Sequence, residues 1–553
     1  MRRRLPIFLV AGAMLSLSLT AASSAHPLPT SFPRSKAGAD TYKETFCASD
    51  APTCLDPYNS IGPNGAYTGH DEPSLIFRSH RPGSGNNITY LMTLPKDPPK
   101  VPQQNGKGGT WNFQLRPTFW LGLTMCDTQS APEYSRTCKR DSNSNNLVST
   151  NPNSPNYLGR HPGNAFMELQ FYGPGYVPQF EGFGCGATQY CAAMTIDSLM
   201  LDQNTGVANN AACDNYFLAG FEPINWAYVT KNGVSQGPAN PIATSTDPTL
   251  KALNPDPTKD LMMNPGDKIR VHMHDTPAGF RVDLADLTTG GVGSMTASIA
   301  NGFGHILYRP NAQTCSMNPY AFHPAYDSAV SRGTTWGAHT YNVAYSDEIG
   351  HFEFCNKLDD NFNCKRPGAN DSGGLDSDDV GCVPGSDSSL IDVTACFGSD
   401  ADFDGPSYLN DWPGTDPNVA RDQKFHPSSV LFTSPLSAGQ NYGHIAFEAD
   451  LPRIEAVDLG GPGPFCDRTT GAHCVNPPPG AQFYPFFSTR MEGNTCTWQE
   501  GGAYIPGTVR SFGGNSHSAF GSLLGVVYPE AGFTTATLIN DFQRVLDNPC
   551  RRH

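Results

Sequence analysis

Short runs of alternating apolar and polar residues recur along the chain, bounded by Gly, Pro and Asn. Phe166-Met167-Glu168-Leu169-Gln170-Phe171 and Lys268-Ile269-Arg270-Val271-His272-Met273-His274 are the clearest. A period of two places every second side chain on one face, the pattern of a half-buried strand. Comparable runs begin at Trp111, Ala193, Ile224, Ser429 and His444. Helical periodicity is scarce, and Ala536 to Leu546 is the one stretch that reads as a helix. Many short strands separated by turn residues predict an all-β sandwich or barrel.

The same pattern divides the chain. Arg2, Arg3 and Arg4, the apolar stretch Ile7 to Leu19, and the small residues Ser23-Ser24-Ala25 predict a signal peptide over 1–25 and a secreted, extracellular protein. That apolar stretch is too short to cross a bilayer, and no later one is longer, so no membrane span is expected. Residues 26–110 are rich in Pro and Gly and read as an N-terminal arm. Residues 111–355 read as a β-sandwich domain, 356–412 as an Asp- and Cys-rich insertion, and 413–553 as a second β-rich region.

Composition narrows the class. Gly 56 and Pro 48 suit a turn-dense fold, and 10% aromatic residues with 16% charged residues argue against disorder. A net charge of −15 argues against a nucleic-acid partner. All 16 cysteines follow the predicted cleavage point, an even count that in an exported chain implies disulfides. Pairs close in sequence, such as Cys185 with Cys191, suggest local staples. The absence of any CxxC pair argues against zinc–thiolate sites.

Asn264-Pro265-Gly266-Asp267-Lys268-Ile269-Arg270-Val271, followed by Gly279-Phe280-Arg281-Val282-Asp283-Leu284-Ala285-Asp286-Leu287-Thr288-Thr289-Gly290, resembles the strand–turn–strand of secreted glutamic peptidases. That resemblance implies a concanavalin-like jelly-roll sandwich. The family pairs a catalytic Gln with a Glu, but neither can be placed here by a matching motif, so the resemblance bears on fold alone.

Several constellations could carry chemistry. Asp400, Asp402 and Asp404 with Gly405 have the spacing of a calcium loop, and Asp411 stands at its twelfth position; the flanks are not helical and the usual Glu is absent. Glu168 and Gln170 share one strand face, and Asp347 and Glu348 offer a second carboxylate. A glycosidase needs such a pair, one group as acid and the other as nucleophile or base. The leading expectation is therefore a hydrolase of polysaccharide or glycan. The alternatives are a glutamic-type acid peptidase pairing Gln170 with Glu348, or a non-catalytic, calcium-stabilised carbohydrate- or cell-wall-binding protein. His272 and His274 alternate along one strand and could chelate a transition metal if a third ligand came from elsewhere. Gly233-Val234-Ser235-Gln236-Gly237 has the letters of a nucleophile elbow, but Pro238 and Pro241 oppose a helix straight after it. Trp226, Trp336, Trp412 and Trp498 could stack on sugars, although core packing is the commoner role.

Overall fold

The computed structural model describes residues 74–79, 84–96, 119–127, 129, 164–174, 185–186, 188–198, 210–216, 223–247, 251–324, 334–340, 355–358, 364–367, 428–448, 487–502, 524–528, 536–540 and 545–552. The first strands are β1 (Ser74–Ser79), β2 (Asn87–Thr93), β3 (Phe119–Cys126), β4 (Asn164–Tyr172), β5 (Cys191–Ser198) and β6 (Ile224–Tyr228). Next come β7 (Lys268–Thr276), β8 (Gly279–Asp286), β9 (Val292–Thr296), β10 (Gly304–Ile306), β11 (Met317–Pro319) and β12 (Thr334–Thr340). Then follow β13 (Cys355–Leu358), β14 (Cys364–Pro367), β15 (Leu431–Phe432), β16 (Leu436–Ser437), β17 (Gln440–Asn441) and β18 (His444–Glu448). The last are β19 (Phe487–Glu492), β20 (Thr495–Glu500), β21 (Leu524–Tyr528), β22 (Ala536–Asn540) and β23 (Val545–Asp547).

Two antiparallel sheets dominate. The first has the order β23-β18-β1-β12-β3-β4-β5-β6, and the second runs β19-β20-β15-β2-β7-β8-β9, with the β16–β17 hairpin beside β2. Strands from the N-terminal segment are interleaved with later ones in both: β1 lies between β18 and β12, and β2 between β15 and β7. Residues 74–79 and 87–93, expected in an arm, thus supply interior strands, and residues beyond 413 supply β15, β18 and their neighbours.

Alternation builds one core between the sheets. Ile269, Val271 and Met273 of β7 and Met167, Leu169 and Phe171 of β4 are fully buried in a single cluster, as period-two burial requires. Aromatic rings cross the interface. Phe77 of β1 meets Tyr90 of β2 at 6.5 Å and Trp498 of β20 at 5.9 Å, both edge-on, and Trp336 of β12 lies 5.9 Å from Phe280 of β8. Each fully buried large apolar side chain contributes about 2–3 kcal/mol.

Residues 268–286 form the β7–β8 hairpin. A Cβ on Gly279 (φ +133°) would overlap the Ala297 carbonyl oxygen, so only glycine fits there. At the other end Asp286 accepts from Thr288 N at 2.8 Å and Thr289 N at 3.0 Å, while Asp267 accepts from Asn264 N at 2.6 Å. Burial and the adjacent Asp286 raise the pKa of Asp267. Burial also weighs on Asp286, but the hydrogen bonds it accepts from Thr289 and Thr288 outweigh it and lower its pKa.

One expectation is corrected. Ala536 to Leu546 does not form a helix: β22 pairs with β21, and β23 pairs with β18 at the edge of the first sheet. Thr537, Ile539 and Val545 are β-branched and favour the extended backbone that this pairing rewards. The described α-helix, α1 (Pro241–Thr246), starts six residues beyond Ser235, with Asn240 Oδ1 accepting from Ala243 N at 2.8 Å as its cap. Ser235 itself is tied down, its Oγ donating to the Asn301 carbonyl at 3.0 Å. That is a turn, not a nucleophile elbow.

Among the described residues no cysteine is free, and three disulfides form: Cys185–Cys191, Cys213–Cys315 and Cys496–Cys550. The first is the expected local staple. The other two join residues 102 and 54 apart, which proximity in sequence could not suggest. Among the described residues no helix is long and apolar enough to cross a membrane.

Candidate functional site

The core takes one face of each sheet, and the opposite faces carry the candidate chemistry. On the first sheet, Glu168, Gln170 and Tyr172 of β4 lie opposite Met167, Leu169 and Phe171. They form a row: Tyr172 Oη donates to Gln170 Oε1, and Gln170 Nε2 donates to Glu168 Oε2 at 2.5 Å. All three are buried. Antiparallel pairing sets Glu168 against Thr195 of β5 and Gln170 against Ala193. With Ile196 in the core, Asp197 shares the face of Thr195 and stands diagonally across from Glu168, a relation that separates Cβ atoms by roughly 7 Å. Aromatic rings extend the row, Tyr172 to Trp226 at 5.6 Å and Trp226 to Tyr228 at 5.9 Å. Trp226 is only partly buried, whereas Trp336 and Trp498 are in the core and unavailable for stacking.

On the second sheet, the register sets His272 of β7 opposite Asp283 of β8, and His274 opposite Arg281. The imidazoles stack at 4.4 Å. His274 Nε2 is 3.0 Å from Asp283 Oδ2, and His272 Nδ1 is 4.0 Å from the same oxygen. Arg281 holds both carboxylate oxygens, Nη2 donating at 2.7 Å and Nε at 2.9 Å to Oδ1, and Nε at 3.1 Å to Oδ2. Burial raises the pKa of Asp283, but the hydrogen bonds from Arg281 and His274 prevail and hold it below the ordinary carboxylate value. Burial and the neighbouring His274 lower that of His272. A cavity of about 660 Å³ opens over His272, Arg281 and Asp283, with Lys231, Arg270 and Ser294 also in its wall.

The other histidines in the described part do not gather. His305 pairs with Asp127 at 2.9 Å in a buried bridge, and the partly buried His323 pairs with Asp275 at 2.7 Å. Among the sequence-selected groups, the structure brings Glu168 and Gln170 together. Asp347, Glu348, Asp400, Asp402, Asp404 and Asp411 lie outside the described residues. Sequence reasoning missed Asp197 and Asp283. Both occupy alternating runs, but the strand register that places them beside Glu168 and His272 is not written in either run.

Neither protein families, nor curated proteins, nor solved structures offer a match to this chain.

Proposed function

We propose that the protein is an exported hydrolase working on the outer face of the first sheet, with glycan or polysaccharide as its substrate class. One observation carries this reading: Glu168 and Asp197 are carboxylates on adjacent strands of one face, next to the Tyr172–Trp226 ring pair. Glycosidases need two carboxylates within roughly 5–10 Å, and a flat ring beside them suits a sugar. In this reading Gln170 holds Glu168 in place, Asp197 takes the role first sought at Asp347 or Glu348, and both carboxylates, buried as they stand, must become exposed for a sugar to reach them. A concanavalin-like jelly-roll arrangement of the two sheets fits the same proposal. So does a structural calcium ion on Asp400, Asp402, Asp404 and Asp411, whose removal by EGTA should lower the melting temperature.

The Glu168–Gln170 hydrogen bond favours a second reading, a glutamic-type acid peptidase in which Glu168 activates water and the Gln170 amide stabilises the oxyanion. Assay of the mature protein on polysaccharides and on casein, at acid and neutral pH, separates the two. Glycan cleavage lost in both Glu168→Gln and Asp197→Asn supports the first. Casein cleavage lost in Glu168→Gln and Gln170→Ala but kept in Asp197→Asn supports the second. Absence of both activities favours the carbohydrate-binding alternative.

A further inference from the structure

We propose that His272, His274 and Asp283 form a site for a divalent transition metal of the zinc class, on the sheet face opposite the proposed hydrolytic one. Their ligand atoms all lie within 4.8 Å of one another. Bonds of about 2.1 Å in a tetrahedron set ligand atoms roughly 3.4 Å apart. The 3.0 and 4.0 Å separations of the imidazole nitrogens from Asp283 Oδ2 bracket that value. An ion at their centre needs only small side-chain movements.

Three features beyond proximity point the same way. His272 Nε2 lies 3.0 Å from Asn87 Oδ1, which can only accept, so this nitrogen carries the proton and Nδ1 turns its lone pair toward Asp283 and His274. Arg281 orients Asp283, with Nη2 and Nε donating to Oδ1 at 2.7 and 2.9 Å and Nε also reaching Oδ2 at 3.1 Å, the oxygen that faces the imidazoles. Such outer partners, fixing tautomer and carboxylate orientation, are what orient metal ligands. Third, the backbone sets the geometry. His272 and His274 are two apart on β7, and Asp283 faces His272 across the hairpin, so strand pairing assembles all three before any ion arrives.

Two imidazoles and one carboxylate leave at least one coordination position vacant, and His272 and Asp283 line the 660 Å³ cavity from which a further ligand could come. Arg270, Arg281 and Lys231 in the cavity wall make an anionic ligand the natural fourth partner. The metal would bind here whatever reaction the first sheet catalyses.

The test uses the mature protein stripped of metal and returned to excess calcium, which occupies any aspartate loop. Titration with cobalt(II) should then give one equivalent bound, with the visible absorption of a tetrahedral nitrogen–oxygen site. His272→Ala/His274→Ala should abolish that band. Asn87→Leu, which changes only a positioning residue, should weaken affinity about 10-fold or more. Inorganic phosphate should shift the band by taking the vacant position. Unaltered melting curves would show the variants to be folded. No cobalt band in the parent protein, or an undiminished one in the double-histidine variant, overturns the metal site. An unchanged band with phosphate overturns the anionic fourth ligand.

Discussion

The outer faces of the two sheets arise from the same strand alternation but have opposite physical characters. On the first, Glu168, Gln170 and Tyr172 are covered, and their polar atoms turn to one another in a row. On the second, the side chains of His272, His274 and Asp283 stay 34%, 25% and 35% exposed, and His272 and Asp283 line an open cavity. Cover decides the difference. A buried polar row must satisfy itself internally because unmet donors cost the full desolvation penalty, whereas an open cluster keeps water and remains accessible to an ion.

The contrast can be broken by mutation, and the largest effect belongs to the covered face. Glu168→Ala removes the acceptor of a buried amide and should cost about 3 kcal/mol in urea denaturation. Glu168→Gln, which retains an acceptor, should cost clearly less. A loss under about 1 kcal/mol for Glu168→Ala would mean that the row is not structurally closed.

The next effect concerns pH. Asp260 is buried, and burial pushes its pKa up to about 7 despite the backbone hydrogen bond from Asp256. Its folded-state value lies above its unfolded one, so the stability it confers is full below about pH 4 and lost as pH rises through about 7. Denaturation midpoints should fall across that window, and Asp260→Asn should flatten the decline. Asp283 has the opposite sign. Its lowered pKa gives stability present above the unfolded carboxylate value and lost as pH falls through the folded one. Its exposure keeps the amplitude small, so Asp283→Asn should change the acid limb of the profile only slightly. The smallest effect should come from His272→Ala in metal-free protein, below about 1 kcal/mol, because a half-exposed imidazole gives up little on truncation. A loss as large as that of Glu168→Ala would erase the distinction between the faces.

How much of this was legible in the sequence depends on whether a feature is local. The runs at 166–171 and 268–274 carry their period in neighbouring residues, so their strands, the inward Met167 and Met273, and the shared face of Glu168 and Gln170 could be read directly. Cys185–Cys191 was readable because its partners are six residues apart. The β-branched residues near the C-terminus could have warned against a helix there, but an apparent 3.6-residue period outweighed them.

By itself, then, the sequence determined that runs such as 166–171 and 268–274 extend, which side of each faces the core, and which polar residues stand in rows. Tertiary structure alone decided what those rows meet. Asp197 joins Glu168, and Asp283 joins His272, only through strand register, while β1 and β2 enter the sheets through partners hundreds of residues away. A pleated strand fixes its own alternation through local backbone geometry, but its neighbours are chosen by long-range burial of the shared core, and no short run of residues records that choice.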